Sequence, residues 1–340
     1  MAAGVNSAGV KNTKRRKFTV THQLVLLGLL VVLILFFGIL EPVFFYPDVL
    51  FDVTAIMGEI GIMALPMTFI ITTGGIDLSV GFNLQLSAIV FGAVYVNTQS
   101  VFLAVVLALI TGTLCGAFNG LIISKTKIPP LVTTLATMYL FRGISMIIAG
   151  TNTYSGFPDA FKKISTIDLF GVLPIQFIYF VVLFLLFNLF YMKGALGRNL
   201  KGIGFNEDAT QFSGINTKRV LFFIYTLTGL MCALAALIYL GRLTAAKTSM
   251  GNDLNLQVIT AVILGGTSIF GGNGSIKGTF IGVLIIGVLR KGFTLLNFSG
   301  NIFNFTLGIM LIASLIVYAI IEERKKTVKK KMTVENAAVV

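Results

Sequence analysis

Apolar runs long enough to cross a membrane alternate with short polar segments along most of the chain. A helix needs roughly 17 to 25 residues to cross a hydrocarbon core. Runs of this size lie at 23–40, 50–72, 79–97, 101–124, 130–150, 173–192, 219–241 and 301–321. Two shorter runs, 253–265 and 278–290, flank a glycine-rich break. The pattern predicts an all-α polytopic membrane protein of about ten transmembrane helices, with one transmembrane domain over residues 23–321.

Composition agrees with the membrane assignment and excludes a nucleic-acid-binding protein. The chain is 56% hydrophobic and 11% charged, whereas soluble domains carry about 25% charged residues. The formal net charge is +13, but the basic residues stand at the ends of apolar runs and form no stripe on a soluble face. Cys115 and Cys232 both lie inside apolar runs, where we expect small packing residues and no disulfide.

Lysine and arginine are distributed unevenly over the segments between the runs. With the N-terminus in the cytoplasm, 19 of the 26 basic residues fall on cytoplasmic segments, six fall on external segments, and Arg142 falls inside a run. Basic residues near span ends resist translocation, so this asymmetry favours cytoplasmic N- and C-termini. It predicts cytoplasmic tails at 1–22 and 322–340, and it places the polar loop 193–218 in the cytoplasm.

The second half of this polar loop reads as a short, capped helix. Asn206 is a preferred N-cap residue, and Glu207 and Asp208 occupy the first turn, where acidic side chains suit the helix dipole. Gly214 supplies the C-terminal stop. A polar helix between two apolar runs is displayed to water or to a partner, so we predict a docking element for a cytoplasmic protein.

Two glycine-rich stretches interrupt the apolar pattern. The first holds Gly74, Gly75, Asp77 and Ser79, and the second holds Gly265, Gly266, Thr267 and Ser268. Backbone groups freed by such breaks are tolerated at membrane depth only inside protein or beside a wet cavity. Asp77 is interpreted either as a cap of the next helix or as part of a translocation route. The second stretch is interpreted either as a tight re-entrant turn or as a ligand contact.

Glycines also recur every four residues in the run 101–124, as Gly112, Gly116 and Gly120, and on entering the run 278–290, as Gly274, Gly278 and Gly282. Flat glycine faces let helices approach closely, so both series are predicted helix contacts. They stand fourth in successive sets of five spans. This spacing suggests an inverted five-plus-five repeat of the kind found in many transporters.

Intramembrane ionisable groups are few, and each is costly enough to suggest a role. They are Glu59, Asp77 and Arg142. We expect Arg142 to form a buried charge pair with Glu59 or Asp77. The lone histidine, His22, has no evident partners for a metal site or a catalytic triad, and no metal site is predicted.

Four motifs, in order and spacing, resemble the permease subunit of bacterial sugar ABC importers, the family of the ribose, galactose and autoinducer-2 permeases. They are Gly74–Gly81, Pro130–Met138 with Arg142 and Gly143 after it, Asn206–Ile215, and Val262–Ser268. The resemblance covers residues 20 to 320. The chain departs from the family pattern at Phe205 and Thr210, and at Asn255 and Gln257, where acidic residues are common.

The resemblance implies a permease of the bacterial cytoplasmic (inner) membrane, embedded in membrane lipid. It implies three partners: a second permease subunit, identical or related, a cytoplasmic ABC ATPase that binds ATP and magnesium, and an extracytoplasmic sugar-binding protein. No nucleic acid partner is expected. The ATPase-coupling residues would be Gly204, Asn206, Glu207, Asp208, Ala209, Ser213 and Gly214. The two glycine breaks, together with Thr134 and Thr137, would belong to the translocation path.

Two other functions compete with that of an ATP-driven importer of a monosaccharide or similar polyol-like solute. An ion-coupled secondary transporter would need mid-span acids, and Glu59 is the plain candidate. A membrane-embedded enzyme would need a nucleophile with a base, and neither is evident. The chain contains no G-x-x-x-x-G-K-[ST] loop, so ATP hydrolysis is assigned to another subunit. We expect this chain to be no enzyme and to bind no cofactor itself.

Overall fold

The computed structural model describes the backbone of residues 22–169 and 171–337, and their side chains except those of residue 318 and residues 321–337. The predicted N-terminal tail, 1–22, lies outside the described residues apart from His22. The last three residues of the predicted C-terminal tail also lie outside them.

Helices make up most of the described chain. They are α1 (His22–Leu40), α2 (Pro47–Thr72), α3 (Val80–Thr98), α4 (Val101–Lys125), α5 (Pro130–Ala149), α6 (Asp159–Thr166), α7 (Ile175–Lys193), α8 (Ala195–Phe205), α9 (Glu207–Phe212), α10 (Thr217–Leu243), α11 (Leu254–Leu264), α12 (Ile276–Leu295) and α13 (Gly300–Ala337). A 3-10 turn, Pro42–Phe45, links the first two helices.

Four two-residue strands complete the structure: β1 (Tyr154–Ser155), β2 (Asp168–Leu169), β3 (Leu173–Pro174) and β4 (Ala245–Ala246). β1 pairs antiparallel with β4, and β2 pairs antiparallel with β3. The first pair joins the segment after α5 to the segment after α10. These two helices therefore end at the same side of the molecule.

Each of the ten predicted apolar runs coincides with a helix, which confirms the all-α polytopic fold. Among the described residues, nine helices are long and apolar enough to cross a membrane: α1 to α5, α7, α10, α12 and the first part of α13. The tenth, α11, has 11 residues and is about 17 Å long at 1.5 Å per residue, so it cannot cross alone. The helix α13 continues to Ala337, past the predicted span end at residue 321.

Three helices form the centre of the bundle. Over their most apolar windows α2 is 83% buried, α3 is 72% buried and α10 is 67% buried, whereas α1 and α7 are 22% buried. α10 packs against α2, α3 and α4. The exposed apolar side chains of α1 and α7 are therefore suited to lipid.

Both predicted glycine series make helix contacts. A side chain at Gly116 would meet the backbone of Tyr225 and Gly229 on α10, and one at Gly278 would meet Gly265 at the end of α11. Gly282 lies against Ala261 of α11. The small residues bring these backbones together and fix α4 on α10 and α12 on α11.

The helix pairings of the first five spans recur in the second five, which are α7, α10, α11, α12 and α13. The pairs α3–α4, α3–α5 and α4–α5 correspond to α11–α12, α11–α13 and α12–α13. Across the halves, α4 on α10 corresponds to α12 on α2. The first span of each set differs, since α7 packs on α2 whereas α1 packs on α12. The five-plus-five repeat stays a prediction, and this pairing pattern is consistent with it.

Candidate coupling site and helix breaks

The polar loop between α7 and α10 contains two helices, α8 and α9. The predicted short helix is α9, and its capping is confirmed: the Asn206 side chain accepts a hydrogen bond from the Ala209 N–H at 2.8 Å. Gly214, at φ +87°, follows the helix end in a conformation that suits glycine. α8 was not predicted. Glu207, Asp208, Ala209 and Ser213 are exposed.

Aromatic side chains accompany the acidic ones on this surface. Phe205 is 70% exposed and Phe212 is 91% exposed, and both border α9. Beside the helix, a groove of about 300 Å³ is lined by Gln211, Gly214, Ile215, Asn216, Thr217 and Lys218. Exposed phenylalanines beside carboxylates and a groove are features of a protein-docking surface. We call the surface formed by Phe205 to Gly214 the docking surface.

Close backbone contacts fix α8 against the bundle. Gly204 lies directly against the carbonyl of Thr72 and the N–H of Gly272, where any side chain would clash. Gly197 lies equally close to the backbone of Tyr191 in α7. Lys201 places its ammonium 4.8 Å from the centre of the Tyr191 ring, a cation–π contact. The docking surface is therefore attached to the bundle through α8.

The first predicted break follows α2. Gly74 has φ +83°, and the N–H of Gly75 reaches back to the carbonyl of Ile70 at 3.1 Å, a helix-ending turn that needs glycine at this φ. Asp77 is 2% exposed. Its Oδ1 accepts from the N–H of Ser79 at 2.8 Å and from the Ser79 hydroxyl at 2.6 Å. Asp77 thus makes a local turn that starts α3.

Side chains of two other helices hold this break in place. Asn119 of α4 donates to the Ser79 hydroxyl at 2.8 Å, and the Thr134 hydroxyl of α5 donates to the carbonyl of Ile76 at 2.9 Å. The Thr137 hydroxyl bonds the Thr134 carbonyl within α5 at 3.3 Å. All three hydrogen-bonding side chains are buried. The irregular backbone is therefore satisfied inside the protein, as membrane depth requires.

The second predicted break, between α11 and α12, is a turn packed on small residues. Gly265 lies against Gly278, and Gly266, at φ +87°, lies against the ring of His22. Thr267 and Ser268 are 1% and 2% exposed, and the Thr267 hydroxyl accepts from the N–H of Ser275 at 3.3 Å. The small residues of this stretch are needed for these packing contacts, which agrees with its interpretation as a tight re-entrant turn.

The two breaks and α8 meet at one place. The N–H of Gly272 donates to the carbonyl of Thr72 at 2.9 Å. Gly271 lies against the backbone of both Gly204 and Gly74. Thus a backbone junction, defined by Gly74, Gly204 and Gly271, joins the loop that carries the docking surface to both helix breaks.

The predicted partner of Arg142 is wrong. Glu59, which is 2% exposed, instead forms a bidentate pair with Arg242 near the end of α10, with Nε–Oε1 2.8 Å and Nη2–Oε2 2.9 Å. Asp77 is satisfied by Ser79 and needs no cation. Arg142 is exposed on α5, and its guanidinium lies 5.6 Å from the centre of the Phe82 ring.

Arg242 was missed as the partner of Glu59, because the charge distribution places it among the external basic residues. A signal was present, since a charged carboxylate inside a span is costly and is commonly paired with an opposite charge. The pairing joins residues 183 positions apart, and no local pattern contains that information.

A cavity of about 430 Å³ lies at the end of the bundle that carries the Glu59–Arg242 pair. Arg290 on its wall donates to Oε1 of Gln257 at 2.9 Å. Phe293 and Phe298 form an aromatic wall with ring centres 5.4 Å apart, and Asp253 also lines the space. Among the described residues, these polar and aromatic groups form a recess at the predicted external end.

Comparison with known proteins agrees with this architecture. Residues 49–315 match the family described as branched-chain amino acid transport system / permease component. The chain is 37% identical over 294 residues to the autoinducer 2 import system permease protein LsrD of Photorhabdus temperata, covering 85% of this chain and 88% of that protein. It is 38% identical over 296 residues to LsrD of Escherichia coli (strain K12), covering 85% and 89%. No solved structure matches the chain.

The family match spans far more than half of the chain, and the relatives align over nearly their whole length. The family match agrees with the four motifs of the sequence and with a bundle of membrane-spanning helices. None of these findings supports an ion-coupled transporter. The chain therefore belongs to the branched-chain amino acid transport system / permease component family, as a multi-pass inner-membrane permease of the sugar ABC importer type.

Proposed function

We propose that this permease pairs with a second permease subunit, identical or related, and couples to a separate cytoplasmic ATPase through the docking surface. The partner ATPase binds ATP and magnesium, and an external binding protein delivers the solute. One observation carries the proposal: an exposed surface with acidic and aromatic side chains is attached, through the backbone junction at Gly204, to both helix breaks.

The contacts of the junction support a mechanical role for it. A displacement of α8 presses on Gly271 and on the Thr72 carbonyl, because no side chain lies between these backbones to absorb the motion. Packed interfaces transmit such shifts as discrete rearrangements. Movement of the ATPase is thereby passed to two places, the turn before α12 and the segment that starts α3. The second of these contacts the proposed path, because Thr134 bonds the carbonyl of Ile76.

The proposed solute is a monosaccharide or a related small polyol-like molecule. The relatives from Photorhabdus temperata and Escherichia coli are named as autoinducer 2 import permeases, and the sequence motifs resemble those of sugar permeases. The cavity lined by Arg290 and Phe293 lies at the predicted external end, where a binding protein would release its solute. Aromatic and polar groups together suit an oxygen-rich molecule.

A charge reversal at the docking surface tests the coupling role. We expect the variant Glu207→Lys with Asp208→Lys to insert and fold, since both side chains are exposed outside the bilayer. Like charges placed across an interface cost several kcal/mol, so the ATPase should detach. In proteoliposomes with the ATPase, ATP hydrolysis should no longer respond to solute-loaded binding protein, and uptake should fall at least tenfold.

A matched control carries the same charge change elsewhere. Asp159 and Asp168 are also exposed and lie on a predicted external segment, so Asp159→Lys with Asp168→Lys should leave ATP hydrolysis coupled. Uptake that persists in the docking variant would refute coupling through this surface, and uptake in proteoliposomes without the ATPase would refute ATP-driven import and favour a secondary transporter.

A further inference from the structure

Arg142 stands exposed on a membrane-spanning helix. It lies on α5, seven residues before the helix end at Ala149, which places it about 10 Å inside that end at 1.5 Å per residue. Its described contact is the face of the Phe82 ring, 5.6 Å away. Among the residues whose side chains are described, no carboxylate oxygen lies within 4.0 Å of its guanidinium.

Lipid is a poor environment for this side chain. Transfer of an arginine to the centre of a membrane costs about 2.5–3.5 kcal/mol on insertion scales and more in simulations. Escape to the nearer membrane surface is hindered, because side chains on a helix point back toward its N-terminus, and the nearer end of α5 is the C-terminal one. Arg142 therefore faces water or another protein.

The side of α5 that carries Arg142 is mixed: Leu135 and Met146, 43% and 49% exposed, lie nearly in line with it, and polar groups stand beside them. Tyr139, one turn earlier, is 60% exposed. The half-buried amide of Asn255 lies 3.7 Å from the Met138 sulfur and 3.4 Å from the Leu78 carbonyl. The guanidinium can donate to a solute oxygen, and the exposed phenol can donate to one or accept from a solute hydroxyl. The other flank of α5 is apolar, with Leu140 46% and Ile147 84% exposed.

We propose that Arg142 lines a water-filled solute route between two permease subunits and donates hydrogen bonds to an oxygen of a passing neutral or anionic polyhydroxylated solute. This inference rests on the proposed function. The guanidinium carbon lies 5.6 Å from the centre of the Phe82 ring, and such a cation–π contact leaves the N–H groups available to the solute. A positive charge at this depth also repels cations, so the route discriminates against positively charged solutes.

Cysteine accessibility tests where the side chain faces. Arg142→Cys and Leu140→Cys are made in a chain with Cys115→Ala and Cys232→Ala, and each is assembled with its partners in proteoliposomes. The two positions lie nearly opposite on the helix, about 200° apart at 3.6 residues per turn. A charged, impermeant methanethiosulfonate should label the Arg142→Cys variant at least tenfold faster than the Leu140→Cys variant. Absence of labelling in Arg142→Cys would overturn the inference.

Chemical rescue tests what the charge does. Uptake of labelled ribose and autoinducer 2 should fall at least tenfold in Arg142→Cys, return after reaction with an aminoethyl thiosulfonate, and stay low after a sulfonatoethyl one. Arg142→Lys and Arg142→Met repeat the comparison without cysteine. Equal uptake by Lys and Met variants would overturn the role of the charge.

The labelling result is independent of ATP coupling. Labelling of Arg142→Cys, together with uptake that needs no ATPase, would support the route and refute ATP-driven import. Absence of labelling in Arg142→Cys, together with uptake that does need the ATPase, would refute the route alone.

Discussion

At the scale of single residues, the buried carboxylate of Glu59 shows which interactions the sequence predicts and which it does not. Glu59 lies inside α2 with 3% of its side chain exposed, and Arg242 meets both of its oxygens. The sequence shows that Glu59 needs a cation, because unpaired charges inside a membrane protein are costly. It does not show which one, since helix packing decides whether Arg142 or Arg242 comes near. Asp77 instead bonds Ser79, two residues later; Ser79 is itself the N-cap of α3, and no described side chain bonds the first turn of that helix.

Removing one partner of this pair should destabilise the protein. In Glu59→Gln, Arg242 keeps its charge in a half-buried site without a carboxylate, and breaking a buried pair costs about 3–5 kcal/mol. We expect a clearly lower unfolding temperature in detergent, followed by differential scanning fluorimetry. Adding Arg242→Gln should recover part of the loss, because the second charge is then also gone.

An exposed pair supplies the control for this measurement. Lys291 and Asp52 are 3.1 Å apart, with Asp52 68% exposed, and pairs of this kind contribute about 0–1 kcal/mol. Asp52→Asn should hardly move the unfolding temperature. Equal effects of Glu59→Gln and Asp52→Asn would mean that the buried pair does not hold α2 to α10.

At the scale of elements, the apolar runs predicted the spans because run length is set by the membrane. The capped helix α9 was also predictable, since Asn206 and the two acids after it form a local signal. α8 was not, because its glycines, Gly197, Gly202 and Gly204, are poor helix formers. Contacts with α7 and with the second break stabilise this helix, and such contacts are invisible along the sequence.

Glycine faces should be intolerant of large side chains. In Gly116→Leu the new side chain meets the backbone of Tyr225 and Gly229, and in Gly278→Leu it meets the backbone of Gly265. Neither backbone can yield without separating helices, so the folded yield should fall severalfold. Fluorescence-detected size-exclusion chromatography of the detergent-solubilised protein measures it.

Gly28 of α1 provides the matched control, because a Cβ added there meets open space among the described residues of the other elements. Gly28→Leu should leave the yield unchanged. Normal yield and transport for both Gly116→Leu and Gly278→Leu would show that these helices separate at little cost.

At the scale of the whole molecule, the sequence suggested a repeat, and the helix pairings follow it except at the first span of each set. The apolar pattern counts the run 253–265 as a complete membrane span, but α11 is too short to cross a membrane alone. The chain from Lys247 to Leu264 instead combines irregular turns with an 11-residue helix. Gly251 lies against Gly81 there, a tertiary contact that makes the irregular backbone acceptable.

The predicted orientation of the molecule rests on the distribution of lysine and arginine and can be tested directly. Ser155, in β1, and Gln211, in α9, are both exposed, and the predicted topology places them on opposite sides of the membrane. The native Cys115 and Cys232 are 8% and 0% exposed and should react poorly. A cysteine at Ser155 should therefore be labelled in intact cells by an impermeant maleimide, whereas one at Gln211 should be labelled only after permeabilisation. Labelling of Gln211→Cys in intact cells would invert the topology and place the docking surface out of reach of any cytoplasmic ATPase.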